Sequence, residues 1–370
     1  MVSISGPIDE LVWTQLLAWL ASENATSHAR KALFKELGIL VGEVLGVGGI
    51  SVCFEARPCE DSSGIPKLLA VKVSHKADSK DFVAGMAQGE LVVIESLHQS
   101  NRQGQGVPEL FCSGSLSIGD TTHHFMVMQR LGNNLDALSR CREITSDNFV
   151  QYALGMLEAV ETVHKAGWVH LDIKPGNFCT SYCSSISDEV YIIDFGTALR
   201  GPAAGQTDRA YAFFGTVDYS STRALLQHTR PGPADDIESL CYSYLQMWNG
   251  RLPWSLADQF TMEEEGCWQD GDVREMLKIR TSKWKKVCSD VFIIPPFLQK
   301  LHNYALSLKT HEMPDYDYMR HLVTTAHEKP ERLPTMEVTK RNASMQAVEG
   351  PRKRLHLSSP PGTSLLQPEE

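Results

Sequence analysis

Long apolar runs are missing from this sequence. No segment of its 370 residues approaches the roughly 18 uninterrupted apolar residues of a membrane-spanning helix, so no span is expected. The first residues lack a basic patch and carry Asp9 and Glu10, so they do not read as a secretory signal. Cysteine is scarce for the length. The nine present are odd in number and spread along the chain, which fits free thiols in a reducing compartment rather than a disulfide framework. Cys179 and Cys183 stand close together, but no second Cys or His pair completes a zinc set. Without a secretory signal, the sequons at Asn24-Ala25-Thr26 and Asn342-Ala343-Ser344 read as chance matches. Positive charge is in deficit. With 35 basic against 45 acidic residues the net charge is -10, which argues against nucleic-acid binding by overall charge. No internal repeat stands out.

What is present is ordinary globular material, 42% apolar and 22% charged, enough to bury a sizeable core. Ile8, Leu11, Val12, Leu16, Trp19 and Leu20 recur at helical spacing and predict an amphipathic helix in an N-terminal extension, 1–37. Its polar face is not basic, so packing is expected rather than membrane contact. From Ile39 the pattern becomes strand-like. The runs 40–47 and 50–56 flank the glycine-rich turn Gly46-Val47-Gly48-Gly49. Further runs follow at 68–74, 110–116 and 124–129, with a helix predicted over 82–98. After Gly132 the chain turns helical. Phe149, Ala153, Met156, Leu157, Val160 and Val163 mark a helix over 147–165, and others are predicted near 235–249, 296–308 and 315–325. The expectation is an α+β fold of two lobes, a β-rich one over 38–131 with one major helix and a mostly helical one over 132–328. The segment 329–370 is poor in large apolar residues and reads as a disordered tail. Its runs Pro351-Arg352-Lys353-Arg354 and Ser358-Ser359-Pro360-Pro361 would suit nuclear import and proline-directed phosphorylation, but read more simply as solvated linker.

The chemistry-bearing residues lie in four places. Ala70-Val71-Lys72 sits on the third strand-like run. His170-Leu171-Asp172-Ile173-Lys174-Pro175-Gly176-Asn177 follows the long helix. Asp194-Phe195-Gly196 ends the apolar run Val190-Tyr191-Ile192-Ile193. With the glycine-rich turn they match the protein-kinase signature set in order and context, which a lone glycine turn or a lone Asp-Phe-Gly would not do. Phosphoryl transfer needs positioning and charge neutralisation more than covalent chemistry. Gly48 and Gly49 let backbone cover phosphates closely. Lys72 supplies a point charge, and strand alternation sets Ala70 beside it, leaving room for a base. Lys72 needs a carboxylate from the next helix. Glu90 and Glu95 are both candidates, and Glu90 lies on the apolar face of Met86, Val93, Ile94 and Leu97 that points inward. Asp172 is placed as a general base and Lys174 as a neutraliser of the moving phosphoryl group. Asn177 and Asp194 offer oxygen ligands for magnesium. His170 reads as a structural histidine.

These motifs resemble the eukaryotic protein-kinase superfamily over roughly residues 38–325. Within it the chain looks most like the casein kinase 1 group, which includes the tau-tubulin kinases. The narrower resemblance rests on Val127-Met128-Gln129-Arg130-Leu131-Gly132, on Phe214-Gly215-Thr216-Val217-Asp218-Tyr219-Ser220-Ser221, on Asp235-Asp236-Ile237-Glu238-Ser239-Leu240, on Leu252-Pro253-Trp254, and on Pro314-Asp315-Tyr316-Asp317-Tyr318-Met319-Arg320. It implies a bilobal fold with ATP and Mg2+ in the cleft and serine or threonine side chains of proteins as acceptors. It also implies that Leu45, Gly46 and Val52 help enclose the nucleotide. Met128 would stand at the gatekeeper position, Gln129 to Leu131 would bond the adenine through backbone groups, and Asp236 would brace the catalytic loop. No nucleic-acid or membrane partner is expected, a monomer is favoured, and the compartment expected is cytoplasmic with nuclear entry open.

Several positions depart from the family pattern. Ser51 replaces the third glycine of the turn, and Leu171 replaces the Arg that usually precedes the catalytic Asp. Asp218 stands where the group typically has an Arg, and Pro233 and Ala234 stand where basic residues often precede the paired aspartates. Arg200, Arg209, Arg223 and Arg230 are the cations that could rebuild an anion site. Retention of Lys72, Glu90, Asp172, Asn177 and Asp194 nevertheless favours an active Ser/Thr kinase. The alternative is a kinase-like scaffold that binds nucleotide or partners with little catalysis.

Overall fold

The computed structural model describes residues 39–47, 51–58, 68–74, 82–99, 106–118, 121–182, 189–201, 215–226, 230–254 and 293–327, together with 277, 280, 281 and 284. The helix expected over 8–20, the tail expected over 329–370, Gly48, Gly49, Cys183 and Arg209 lie outside the described residues.

The first half is a five-stranded antiparallel sheet in the order β1-β2-β3-β5-β4. Its strands are β1 (Ile39–Val47), β2 (Ser51–Pro58), β3 (Leu69–Ser74), β4 (Leu110–Ile118) and β5 (Thr121–Gln129). Alternation decides the two faces. Val52, Phe54 and Ala56 on β2, with Leu69, Val71 and Val73 on β3, join Ile39, Val41, Phe125 and Val127 in an outer cluster. Ala70, Met126 and Met128 face the other way and belong to the main core, with Cys53 packed against it. Helix α1 (Phe82–Gln99) covers that inner face through Val93, Ile94 and Leu97, each about 2% exposed or less.

The second half is mostly helical: α2 (Leu135–Arg140), α3 (Ser146–Lys165), α4 (Thr222–Leu226), α5 (Pro233–Asn249), α6 (Pro296–Ser307) and α7 (Tyr316–Thr324). Helix α3 starts at a capping box. Thr145 Oγ1 accepts from the Asp147 N–H at 3.3 Å, and Asn148 Oδ1 accepts from the Thr145 N–H at 2.7 Å. Helix α5 opens with Pro233 and stops at Gly250 in the left-handed region, φ 78°. It is buried almost throughout and forms the axis of this lobe; Tyr244 donates to the Ala153 carbonyl of α3 at 2.5 Å. Phe149 meets Trp248 edge-on with centroids 4.9 Å apart, and Phe297 closes the trio. Two small sheets belong to this second half. One joins β6 (Leu131–Asn134), β8 (Phe178–Ser181) and β9 (Val190–Ile192) in the order β6-β8-β9, and the other pairs β7 (Trp168–Val169) with β10 (Leu199–Arg200). These strands, two to four residues long, are too short for a periodic sequence signal. They hold the loops that carry Asp172 and Asp194.

His302 on α6 is wedged into this core against Trp284, with ring centroids 3.9 Å apart, and its Nδ1 is buried without a hydrogen-bond partner. Burial lowers its pKa to about 4; Glu238 opposes the shift and Arg280 adds to it. The folded protein therefore binds fewer protons at this site than the unfolded chain between roughly pH 4 and 6.5, so stability is lost as pH falls through that window. Urea unfolding at pH 7 and pH 4.5 should show His302 contributing about 2 kcal/mol to the acid loss. In His302→Asn that share of the pH dependence should shrink, and an unchanged slope would refute the assignment.

Candidate active site

Lys72 lies on β3, opposite Cys53 of β2 and Met126 of β5. Its Nζ donates to Glu90 Oε1 at 2.7 Å and Oε2 at 2.8 Å, and to Asp194 Oδ1 at 3.0 Å. Of the two carboxylates considered on α1, Glu90 thus makes the contact. Glu95 instead accepts from Ser113 on β4 at 3.4 Å. Burial would lower the Lys72 pKa, but the two carboxylates outweigh it and hold the ammonium above its ordinary value. Asp194 is held below the usual carboxylate range chiefly by the Lys72 charge, against the opposing effect of burial. Its backbone is left-handed, φ 68° and ψ 66°, an uncommon state for a non-glycine residue that costs about 1 kcal/mol.

The loop after β7 has a second left-handed residue, Leu171, φ 67°. Asp236 on α5, fully buried, holds it there. Its Oδ1 accepts the Leu171 N–H at 2.8 Å, and its Oδ2 accepts the His170 N–H at 2.7 Å and His164 Nε2–H at 2.8 Å. The other ring nitrogen of His164 accepts from the Tyr316 hydroxyl on α7. His170, itself fully buried, donates from Nε2 to the Ile193 carbonyl at 3.0 Å and accepts the Asp172 N–H on Nδ1 at 3.2 Å. It is a structural strut between the two loops.

These constraints aim Asp172. Its Oδ2 accepts from Lys174 Nζ at 2.7 Å and Asn177 Nδ2 at 2.9 Å, and its Oδ1 accepts from Thr216 Oγ1 at 2.8 Å. Asn177 Nδ2 also donates to the Asp172 carbonyl at 2.8 Å, which leaves the amide oxygen as a cation ligand. Lys174 donates again to Thr216 Oγ1, at 2.7 Å. Thr216 was quoted above only as part of a motif. It reaches Asp172 across 44 residues of sequence, and no local pattern announces that. Gly215 makes the approach possible: its φ is +124°, and a Cβ there would stand 2.6 Å from the Leu171 carbonyl oxygen.

One expected nucleotide contact is corrected. Val52 is 1% exposed in the outer cluster, on the far side of the sheet from Lys72. The period of two puts Cys53 on the inner face instead, in register with Lys72. A cysteine does not announce an aliphatic packing position, and Val52 beside it drew the assignment. Ala70 and Met128 are register partners on that inner face. Leu131 and Cys179 are buried together, next to Tyr191. Gln129 is tied to Glu109 through its N–H at 2.8 Å and its side-chain oxygen at 3.2 Å. Leu45 and Gly46, at the end of β1, are exposed. Burial raises the Cys179 pKa to about 12, with Cys53 adding to the effect, and raises that of Cys53 as well. Neither thiol is poised as a thiolate. Of the cations expected at an anion site, the three among the described residues, Arg200, Arg223 and Arg230, are engaged with protein groups. Arg223 meets Asp235 at 3.2 Å and the Leu308 carbonyl at 2.9 Å, Arg230 the Arg200 carbonyl at 2.9 Å, and Arg200 stacks on Trp168.

A two-lobed fold with a Lys–Glu pair reaching one aspartate, and a second aspartate held by Lys, Asn and Thr beneath it, agrees with a family comparison. The profile of the protein kinase domain matches residues 39–312. The chain belongs to the protein kinase family. Its relatives include a casein kinase 1-like protein, HD16, of Oryza sativa subsp. japonica, 29% identical over 69% of this chain and 36% of the relative. Casein kinase I homolog 2 of Schizosaccharomyces pombe is 28% identical over 76% and 61%, and human serine/threonine-protein kinase VRK2 is 24% identical over 77% and 56%. Within the family the likeness is to the casein kinase 1 group. The chain spans 36% to 61% of the lengths of these relatives.

Asp236 is the acceptor on which the loop geometry of this kinase domain hangs. Asp236→Ala orphans the buried His170 N–H, the half-buried Leu171 N–H and the buried His164 ring, and should cost about 3–5 kcal/mol in urea unfolding. Asp236→Asn, which keeps one acceptor oxygen, should cost less. A loss below about 1 kcal/mol for the alanine variant would contradict this role.

Proposed function

We propose that the protein is a serine/threonine protein kinase of casein kinase 1 type that transfers the γ-phosphoryl group of ATP to protein hydroxyls. The observation that carries this reading is the Asp172 carboxylate, bonded at once to Lys174, Asn177 and Thr216, below a Lys72–Glu90 pair that also holds Asp194. Phosphoryl transfer runs on such fixed charge and alignment.

In this reading Lys72 binds the phosphates of the nucleotide, and Glu90 keeps its ammonium in position. Asp172 orients the acceptor hydroxyl and takes its proton as the new oxygen–phosphorus bond forms and the bond from the γ-phosphorus to the β–γ bridging oxygen breaks, releasing ADP. Lys174 offsets charge on the transferred group. Thr216, bonded to both, fixes the distance between them and brings the segment after Gly215 against the acceptor. The inner-face residues Cys53, Ala70 and Met128, with Leu131 and Cys179, enclose the base. The Asp194 carboxylate, partly exposed, and the Asn177 amide oxygen are hard oxygen donors that fit magnesium, two protein ligands being what this ion takes when phosphates and water supply the rest. Magnesium, when bound, would neutralise phosphate charge. The protein acceptors are serine or threonine side chains.

The test is radiolabelled phosphate transfer from ATP with magnesium to casein, to the protein itself and to a peptide library. Asp172→Asn should lower kcat by at least roughly a hundredfold with its fold intact. Thr216→Val, nearly isosteric but unable to bond, should lower kcat about tenfold, and Thr216→Ser should restore most of it. No transfer by the wild-type protein to any acceptor would overturn the reading.

A further inference from the structure

Helix α1 carries Glu90, and two of its side chains tie it to the second half of the chain. The first is Glu90 itself, bonded to Lys72 and to the Phe195 N–H. The second is Ser96, about 9 Å further along the helix axis. Ser96 Oγ accepts from the Trp168 indole Nε1–H at 3.1 Å and from Arg200 Nη2 at 3.4 Å. The Arg200 guanidinium lies over the Trp168 ring, 4.2 Å from its centroid, and Nη1 donates to the Ala166 carbonyl at 3.4 Å. Trp168 and Arg200 are cross-strand partners in the β7–β10 pair, and the Gly201 N–H bonds to the Gly167 carbonyl at 2.9 Å. Arg230 donates to the Arg200 carbonyl at 2.9 Å. One knot therefore joins α1, the strand that leads into the Asp172 loop, the strand that follows the Asp194 turn, and the approach to α5.

We propose that Ser96, Trp168 and Arg200 form a phosphate-independent latch that holds α1 inward and, with it, the Lys72–Glu90 pair. The groups named in these contacts are neutral or cationic. An indole N–H, a hydroxyl and a guanidinium over an aromatic face attract one another with no added anion. The three residues of the latch touch none of the reacting groups and act by positioning Glu90. The kinetic part of the test rests on the phosphotransfer reading, and the exchange part does not.

The full chain is treated with a Ser/Thr phosphatase and assayed for initial rates and for hydrogen exchange of the α1 amides, beside Arg200→Ala, Arg200→Lys, Ser96→Ala and Trp168→Phe. Phosphatase-treated wild type should keep its rate. Arg200→Ala should lower kcat about tenfold and speed α1 exchange by a comparable factor. Trp168→Phe, which keeps an aromatic face but no N–H, and Ser96→Ala should move both readouts in the same direction by less. Arg200→Lys, which keeps a cation over the ring, should recover much of the loss. A packing role alone would lower the melting temperature without changing kcat below the transition. Loss of activity on dephosphorylation, or variants with unchanged kcat and α1 exchange, would overturn the latch. Absence of transfer by wild type, with α1 exchange still raised by Arg200→Ala, would overturn the kinase reading and support the latch.

Discussion

The buried carboxylate of Asp236 is the constraint on which this site depends. It accepts two consecutive backbone N–H groups, from His170 and Leu171, and so holds Leu171 in a left-handed state that the residue would otherwise leave. That kink turns the chain so that Asp172 meets Lys174, Asn177 and Thr216. Asp236 is in turn fixed by His164 from α3, which takes its second bond from Tyr316 of α7. Three helices thereby converge on one loop conformation. A buried carboxylate is tolerated because each of its bonds is to a donor that would itself be costly to leave unpaired.

The two lobes are joined by charge as well as by packing. Lys72 comes from the sheet, Glu90 from α1 and Asp194 from a turn in the other half of the chain, separated from Lys72 by 122 residues. The main core is continuous across the same boundary, with Ala70, Met126 and Leu97 in one cluster with Ile173, Phe195 and Leu240. The knot at Ser96 adds a third tie a short way along α1. The position of one helix thus reports to the sheet, the Asp172 loop and the strand after Asp194 together.

Much of this was legible from residue patterns. The five long strands and the helices at α1, α3, α5, α6 and α7 follow from apolar periods of two and 3.6, because burial of one face is a local demand that each segment meets with its own residues. Lys72, Asp172, Asn177 and Asp194 were legible because chemistry restricts the residue type at each place, and Glu90 because only one acidic position lay on the inward face of its helix. Val52 was misread because adjacent strand residues differ only in which face they take, and both 52 and 53 suit burial.

The sequence by itself determined the fold class, the order of elements and the charged groups of the site, since these depend on periodicity and on side-chain chemistry within single segments. Tertiary structure alone decided that Cys53 rather than Val52 faces Lys72, that Thr216 bonds to Asp172 across 44 residues, and that Arg200 is spent on Trp168 and Ser96 instead of an anion. Those are contacts between loops and strand edges distant in sequence. Their partners are chosen by how the packed elements bring backbone and side chains within the 3 Å or so of a hydrogen bond, and no local period records that distance.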